Sequence, residues 1–232
     1  MNADEQKKAA ALRALDFVKP GMKLGLGTGS TAEHFVRALG EKVKGGFEII
    51  CVPTSERTSK LAESLGIPLA GLHEVQYLDL TVDGADELDS KLRLIKGGGG
   101  ALLREKIVAT ASDRMIVIAD ASKIVTTLGA FPLPVEIVPF GASVTARKIA
   151  EVASALGCTG KISRRADEYG EPFFTDSGNF IYDCAFSKIP DPDNLAPALN
   201  AIPGVVDNGL FIDIAALAII GSPSGIELIE KK

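Results

Sequence analysis

Apolar residues in the first half of the chain follow two alternating spacings. Over residues 11–18 they recur every three or four positions and predict an amphipathic first helix, which Pro20 and Gly21 end. The helical spacing returns three more times, at residues 31–44, 54–65 and about 101–112. Short, mostly apolar runs predict buried strands at residues 23–27, 47–52, 78–82 and 115–119. Strands that alternate with helices predict an α/β fold, with a parallel sheet covered on both faces.

The pattern changes after Pro134, where short strands and helices follow one another less regularly. It predicts a strand at 135–138, a helix at 144–156, a hairpin of 173–175 with 180–182, and a helix that begins at Asp191-Pro192. Such an order is typical of a compact α+β unit, here residues 131–204. The apolar segments 205–206 and 210–220 can return to the first sheet, so the larger domain is predicted to comprise 1–130 and 205–232.

Composition and charge exclude several classes of function. Hydrophobic residues make up 46% of the 232 residues, and the net charge of −5 argues against nucleic-acid binding, which needs a basic face. The N-terminus lacks the apolar segment of a signal peptide, and the apolar run 214–220 is far shorter than the ~20 residues that span a bilayer. Three cysteines at no metal-ligand spacing indicate small buried side chains. We therefore expect a cytoplasmic protein without nucleic-acid or membrane partners.

The first motif that can carry chemistry is Gly25-Leu-Gly-Thr-Gly29-Ser30-Thr31, between a predicted strand and a predicted helix. Glycines let the backbone approach an anion, and the helix N-terminus adds unpaired N–H groups and the positive end of a dipole. These features favour a phosphate site. A dinucleotide site fits the sequence less well. Ser30 replaces the third glycine of the dinucleotide-binding motif G-x-G-x-x-G, and no acidic residue follows the next strand. A plain glycine-rich turn is the remaining alternative.

The second motif is Asp83-Gly84-Ala85-Asp86-Glu87, directly after the strand predicted at 78–82. In open parallel sheets, ligands bind at the carboxyl ends of strands, so these acids are well placed for a site. A solvated acidic turn is an equally good interpretation of the motif alone. Carboxylates three residues apart could also hold a divalent cation, but neither of the two histidines lies nearby.

The third motif is Lys96 followed by the four glycines 97–100, with Glu105 at the start of the next predicted helix. Consecutive glycines usually serve a close approach of the backbone, and their N–H groups can stabilise developing negative charge. Glu105 is then a candidate base, although a glutamate near a helix N-terminus is most often a surface residue. The fourth motif is Asp120-Ala-Ser-Lys123, where the lysine could either neutralise a phosphate or lie in a solvated loop.

All four motifs follow predicted strands, so we expect them on one edge of one parallel sheet. Together they supply anion donors, lysines, paired acids and a candidate base. This set suits proton transfer next to a carbonyl group of a phosphorylated substrate.

At these positions the chain resembles the ribose-5-phosphate isomerases of type A. The resemblance runs in order through six blocks, at residues 27–31, 82–87, 96–106, 118–123, 131–136 and 201–206. It implies a Rossmann-like domain that bears the site and a smaller domain with a ferredoxin-like arrangement. It also implies interconversion of ribose 5-phosphate and ribulose 5-phosphate without a metal or organic cofactor, by a homodimer or a dimer of dimers.

The resemblance also implies roles for particular residues. Glu105 would accept the proton, Asp83 would assist ring opening together with Lys96, and Asp86 would belong to the same catalytic group. Contacts with the sugar phosphate are implied for Lys7, Thr28, Gly29, Ser30, Thr31, Asp83, Gly84, Ala85, Asp86, Lys96, Gly97, Gly98, Gly99 and Lys123. The chain departs from the family pattern at Leu103, where threonine is frequent, at Gly100, where alanine is usual, and in residues 212–216.

Two other classes of function fit parts of the sequence. A non-catalytic sugar-phosphate sensor would use the same phosphate loop, but the chain has no spare segment for a DNA-binding helix-turn-helix. An amino-sugar phosphate deaminase or a CoA transferase could share the fold. A deaminase would be expected to add a histidine–carboxylate relay, and neither His34 nor His73 lies beside an acidic motif.

Overall fold

The structure is a computed structural model that describes residues 1–231. Within this range the α-helices are α1 (Ala3–Ala14), α2 (Ser30–Lys44), α3 (Glu56–Ser64), α4 (Leu72–Val75), α5 (Leu102–Thr110), α6 (Ala142–Ala155) and α7 (Pro192–Asn200). The strands are β1 (Lys23–Leu26), β2 (Ile50–Pro53), β3 (Leu80–Asp83), β4 (Glu87–Leu88), β5 (Leu94–Ile95), β6 (Met115–Asp120), β7 (Leu133–Ile137), β8 (Lys161–Arg164), β9 (Phe180–Ala185), β10 (Val205–Asn208), β11 (Leu210–Phe211), β12 (Ala215–Ser222) and β13 (Gly225–Glu230).

The chain divides into two compact units. The first unit contains Met1–Ala85, Arg104–Lys123 and the chain from Asp213 onward, and the second contains Asp86–Leu103 and Ile124–Ile212. These bounds differ from those expected from the sequence, since residues 86–103, 124–130 and 205–212 lie in the second unit. The reason is strand pairing: β10 pairs with β7, and β11 pairs with β5, so both segments join sheets of the second unit.

The first unit is built on a six-stranded sheet in the order β13-β12-β6-β3-β1-β2. The strands from β2 to β12 pair in parallel, and β13 adds an antiparallel edge. The predicted parallel α/β arrangement is therefore confirmed. Three of the predicted motifs directly follow the carboxyl ends of β1, β3 and β6, which is where ligands bind in such sheets.

Alternation along the strands assigns the two faces of this sheet to different helices. Leu24 and Leu26 of β1 belong to the core formed with α1, α2 and α3. A Cβ atom added to Gly25, on the opposite face, would lie 2.6 Å from a methyl group of Val108 in α5. The sheet is therefore covered on both faces, as the mostly apolar strands predicted.

The second unit contains a four-stranded antiparallel sheet in the order β10-β7-β9-β8. Its chain order, β7-α6-β8-β9-α7-β10, is the ferredoxin-like βαββαβ arrangement. Apolar residues of α6 and α7, including Ile149 and Leu195, pack with Val135 and Ile137 of β7 in one buried core. A small sheet of β11, β5 and β4 completes the unit.

Two local predictions are wrong in part. Residues 210–220 form two strands, because Asp213 adopts a left-handed φ of 59° between β11 and β12. Of these, β12 does return to the parallel sheet. The predicted hairpin keeps its turn, with the Thr175 N–H donating to the Asn179 carbonyl at 2.9 Å, but its first arm forms only a single bridge from Phe174 to Phe180. The strand that extends alongside β9 is instead β8.

None of the helices within residues 1–231 combines the length and apolar character that crossing a membrane requires.

Candidate functional site

The loop from β1 to α2 is held against the end of β3 by a very close packing contact. The Gly27 N–H donates to the Val82 carbonyl at 2.9 Å, and a Cβ atom on Gly27 would lie 2.1 Å from Oδ1 of Asp83. Gly29, the N-cap of α2, has φ 109° and ψ 171°, a conformation that is open only to glycine. Ser30 and Thr31 then begin α2, where the first N–H groups of a helix lack partners within it. The loop predicted to bind an anion therefore leads into α2 with backbone N–H groups that lack partners within the helix.

Thr28 is tied into a buried group of four hydroxyls. Its Oγ1 lies 2.7 Å from the hydroxyl oxygens of Thr54 and Ser55 and 3.0 Å from that of Thr58. Thr58 in turn donates to the Gly27 carbonyl at 3.0 Å. The Thr28 side chain therefore anchors the loop to these buried hydroxyl groups. The backbone N–H of Thr28 donates to Asp83 Oδ1 and so connects the loop to the end of β3 as well.

Two lysines of the first unit, Lys7 and Lys123, belong to the predicted site residues. Lys7 reaches from α1 to Ser30, with its Nζ donating to the Ser30 Oγ at 3.1 Å. This contact brings the Lys7 ammonium group to the first residue of α2. Lys123 ends the short 3-10 turn Ala121–Lys123 after β6 and is half-buried.

Asp83 is a fully buried carboxylate at the last position of β3. Its Oδ1 accepts hydrogen bonds from the backbone N–H groups of Thr28 at 3.1 Å and Gly84 at 2.7 Å. Backbone donors of this kind stabilise the ionised form of a carboxyl group. Asp83 is therefore not part of a solvated turn. Its carboxylate is oriented by hydrogen bonds from the β1–α2 loop and from Gly84.

Glu105 lies in the first turn of α5, and only 4% of its surface is exposed. Its neighbour Arg104 pairs with Glu56 at 2.8 Å. Burial separates Glu105 from an ordinary helix-surface glutamate.

Asp86, Lys96 and the glycines belong to the second unit. Asp86 accepts the Gly98 N–H on Oδ2 at 2.7 Å, while its own N–H donates to the Ile95 carbonyl at 2.8 Å. A Cβ atom on Gly98 would lie 2.6 Å from Oδ1 of Asp86, so a side chain there would displace this carboxylate. Lys96 is 2% exposed, with its Nζ 5.5 Å from the centre of the Phe211 ring.

One expectation about these motifs is wrong. The Lys96 motif does not follow a strand of the parallel sheet: it follows β5, a two-residue strand paired antiparallel with β4 and β11. Such a short pairing leaves no periodic signal in the sequence. The other three motifs do follow the carboxyl ends of β1, β3 and β6 in the first unit.

The departure at Gly100 has a structural explanation. Gly100 has φ 80°, and a Cβ atom there would lie 2.4 Å from Cζ of Phe173. Alanine would therefore collide with this ring. Nothing in the structure explains Leu103.

Neither histidine lies among the candidate site residues. His34 pairs with the exposed Asp4 at 3.0 Å, between α2 and α1, and His73 lies against Gly71. The described part of the chain contains no group of three or more His, Cys, Asp and Glu side chains that could hold a metal ion.

Sequence reasoning missed two sets of residues that organise these loops. The hydroxyls of Thr54, Ser55 and Thr58 follow the second strand, so their position after a strand end was an available signal. Arg165 donates to the carbonyls of Gly97 and Gly98, at 2.8 and 3.2 Å. Because Arg165 lies more than sixty positions from them in the chain, no sequence spacing could indicate this contact.

Comparison with known proteins adds independent findings. The model of the family described as "Ribose 5-phosphate isomerase A (phosphoriboisomerase A)" matches residues 50–225. The chain is 80% identical to the ribose-5-phosphate isomerase A of Parvibaculum lavamentivorans, over 99% of this chain and 100% of that protein. It is 61% identical to that of Sinorhizobium medicae, over 97% of each.

Solved structures of this name are also similar to the chain. A D-ribose-5-phosphate isomerase in complex with phospho-erythronic acid is 42% identical, with a TM-score of 0.92 over 99% of this chain and 100% of that one. The ribose 5-phosphate isomerase from Plasmodium falciparum is 38% identical, with a TM-score of 0.92 over 99% of both chains.

Proposed function

This chain belongs to the ribose 5-phosphate isomerase A family, and we propose that it interconverts D-ribose 5-phosphate and D-ribulose 5-phosphate with Glu105 as the general base. The observation that carries the proposal is the burial of Glu105. A carboxylate that is 4% exposed, in the first turn of a helix, belongs to the same unit as a backbone anion cradle. Base and phosphate site are the two features that this reaction requires.

The phosphate group is assigned to the start of α2. The backbone N–H groups at Ser30 and Thr31 and the ammonium group of Lys7, held on Ser30, supply hydrogen bonds and positive charge. A helix N-terminus favours a dianion for the same reason. Binding energy from this remote group can position the sugar carbons for the reaction.

The chemical step is a proton transfer between adjacent carbons. After ring opening, assisted by Asp83, ionised Glu105 removes the proton from C2 of the aldehyde. The C–H electron pair forms the C1–C2 double bond, and the carbonyl oxygen at C1 gains the negative charge of a cis-enediolate. The proton of the C2 hydroxyl passes to the oxygen on C1, and Glu105 returns the carbon-bound proton to C1 as the carbonyl forms at C2. Oxidation at C2 balances reduction at C1, so the step needs no external oxidant or reductant.

The negative charge of the enediolate is assigned to Lys96 and to the N–H groups of Gly97 and Gly99, since the Gly98 N–H is bound by Asp86. The support for this assignment is that Lys96 is 2% exposed and that Gly97 has φ 104°, a backbone held in a conformation that favours glycine. Preorganised donors of this kind act on the charge as it develops, and losing one typically costs about 10²–10³ in rate.

Glu105→Gln tests the assignment of the base. Glutamine keeps the size of the side chain but is too weak a base to accept the proton. We therefore expect kcat to fall by about 10³ or more, where a general base typically contributes about 10²–10⁴. Binding of phospho-erythronic acid should change little, because the phosphate cradle is intact. Ketose formation from ribose 5-phosphate and calorimetric binding of the sugar acid measure the two quantities.

Glu56→Gln is the matched control, since Glu56 is also a first-turn glutamate of the first unit but its side chain is 60% exposed. It should retain the wild-type kcat. A wild-type kcat for Glu105→Gln would contradict the role of the base. Absence of ketose formation by EDTA-treated wild-type protein, with activity restored by a divalent metal, would contradict the metal-free mechanism.

A further inference from the structure

Arg165 holds the glycine run from the side of its carbonyl groups. Its Nη1 donates to the Gly97 carbonyl at 2.8 Å and to the Gly98 carbonyl at 3.2 Å. The other edge of the guanidinium group binds Asp183, with Nε to Oδ2 at 2.9 Å and Nη2 to Oδ1 at 2.5 Å. The side chain is 14% exposed. Every donor nitrogen of the guanidinium group is therefore engaged, and two of its bonds end on the glycine run.

These two carbonyl contacts also set the direction of the N–H groups in the run. In a trans peptide the C=O of one residue and the N–H of the next point in opposite directions. Holding the Gly97 carbonyl therefore turns the Gly98 N–H away from Arg165, toward Asp86, which accepts it at 2.7 Å. Holding the Gly98 carbonyl turns the Gly99 N–H away from Arg165 in the same manner.

The run needs such a restraint because glycine has no intrinsic conformational preference. Each glycine samples left-handed and right-handed backbone angles with similar ease, so a free run of four would populate many arrangements. Gly97 and Gly100 adopt φ of 104° and 80° here. The Phe173 ring adds a second restraint, since it stacks 5.9 Å from the Arg165 guanidinium carbon and lies against Gly100.

Only arginine can make this set of contacts. Its planar group presents donors along two edges at once, one edge matching the Asp183 carboxylate and the other matching two successive carbonyls. A lysine could supply a positive charge but could not satisfy both edges.

We propose that Arg165 is a positioning residue for the reaction, which orients the Gly99 N–H toward the developing enediolate charge and keeps the Gly98 N–H on Asp86. This inference rests on the proposed function for its catalytic consequence. Its structural part, that Arg165 orders the glycine run, is independent of any activity.

The test compares Arg165→Lys and Arg165→Met with the matched control Arg164→Met. Arg164 is the neighbouring, exposed arginine and stacks on Phe180 instead. We expect both Arg165 variants to lower kcat by about 10- to 100-fold, somewhat less than the 10²–10³ that follows loss of a whole oxyanion donor. KM should stay within about threefold of the wild type, because a loss confined to the transition state lowers kcat and leaves ground-state binding.

Hydrogen exchange of the backbone amides in residues 96–100, followed by mass spectrometry, provides a readout that does not depend on activity. Both Arg165 variants should exchange faster there, and Arg164→Met should match the wild type. Asp183→Asn is a second test if the Arg165 variants fold poorly. It keeps the arginine but weakens the pairing that holds the guanidinium group. It should therefore lower kcat and speed exchange in residues 96–100, both by a smaller factor.

A wild-type kcat for Arg165→Lys would overturn the proposal, since charge alone would then suffice. Unchanged exchange in Arg165→Met would overturn it as well, and so would a loss that lies entirely in KM. If the wild-type protein forms no ketose, the proposed function fails and the catalytic consequence fails with it. Faster exchange in Arg165→Met would in that case still support the ordering of the run.

Discussion

At the scale of single residues, the candidate site depends on the absence of a side chain at Gly27. This glycine lies so close to Asp83 that an added methyl group would come within 2.1 Å of the carboxylate oxygen and 2.5 Å of the Cα atom. The same carboxylate oxygen accepts the backbone N–H of Thr28. Close packing therefore couples the shape of the phosphate loop to the position of a buried acid.

Gly27→Ala is expected to destabilise the protein by about 1–3 kcal/mol, the usual cost of forcing an extra methyl group into a well-packed site. The collision involves backbone as well as side-chain atoms, so simple side-chain rotation cannot relieve it. Urea unfolding measures the change. Gly45→Ala is the control, because Gly45 has φ −79° and its added Cβ would lie 3.2 Å from its nearest neighbour. Equal unfolding midpoints for the two variants would contradict the packing argument.

At the scale of elements, β7 carries a buried acid that the proposed reaction does not use. Glu136 is 1% exposed, and its Oε1 accepts hydrogen bonds from Thr175 Oγ1 and Asn179 Nδ2, both at 2.9 Å. No described residue donates to its Oε2. Burial raises the pKa of Glu136 above its ordinary value, and the nearby carboxylates Asp207 on β10 and Asp176 in the 175–179 turn act in the same direction.

This raised pKa makes the stability of the protein depend on pH. The folded state binds the proton more tightly than the unfolded state, so the contribution of Glu136 is complete below the ordinary pKa of 4.5 and is lost as the pH rises through the folded pKa. Glu136→Gln cannot ionise. We therefore expect the free energy of unfolding of Glu136→Gln, relative to that of the wild type, to increase as the pH rises across this window.

Urea unfolding at a series of pH values, from below 4.5 to neutral, checks this prediction for Glu136→Gln. Glu151→Gln is the control, since the Glu151 side chain on α6 is 66% exposed. A difference between Glu136→Gln and the wild type that does not vary with pH would contradict the raised pKa.

At the scale of the whole molecule, the family resemblance leads us to propose a homodimer. The second unit exposes three large apolar side chains within one short segment: Val138 at 41%, Phe140 at 92% and Val144 at 49%. Apolar groups gathered in this way commonly mark a protein–protein contact. A homodimer is the simplest assembly that covers such a surface symmetrically.

Light scattering after size exclusion should give a mass of twice the 24.3 kDa chain. The mass should persist on dilution to the concentrations used in activity assays. A mass of 24.3 kDa there would contradict the dimer, and a mass of four chains would indicate a dimer of dimers.

Local patterns allowed much of this molecule to be predicted from its sequence. The N-terminus of α7 follows the expected Asp191 cap and Pro192, with the Asp191 side chain accepting the Asn194 N–H. The mostly apolar strands identified the parallel sheet, because strands covered on both faces carry few polar positions. The β1–α2 loop was also identifiable from the sequence. Its glycines and hydroxyl residues lie within a few positions of one another, and the tight backbone turn that they form depends only on these neighbours.

Tertiary structure alone decided which distant segments meet. Nothing near residues 205–208 shows that they pair with β7 and join the second unit, because strand pairing depends on partners remote in the chain. The burial of Glu105 and the hydrogen bonds from Arg165 to the glycine run likewise depend on segments that are remote from each other in the chain. The sequence by itself determined where backbone turns, strands and candidate groups lie, since these follow from neighbouring residues. Which carboxylate is buried, and what holds the loops, depended on contacts that form only when the chain is folded.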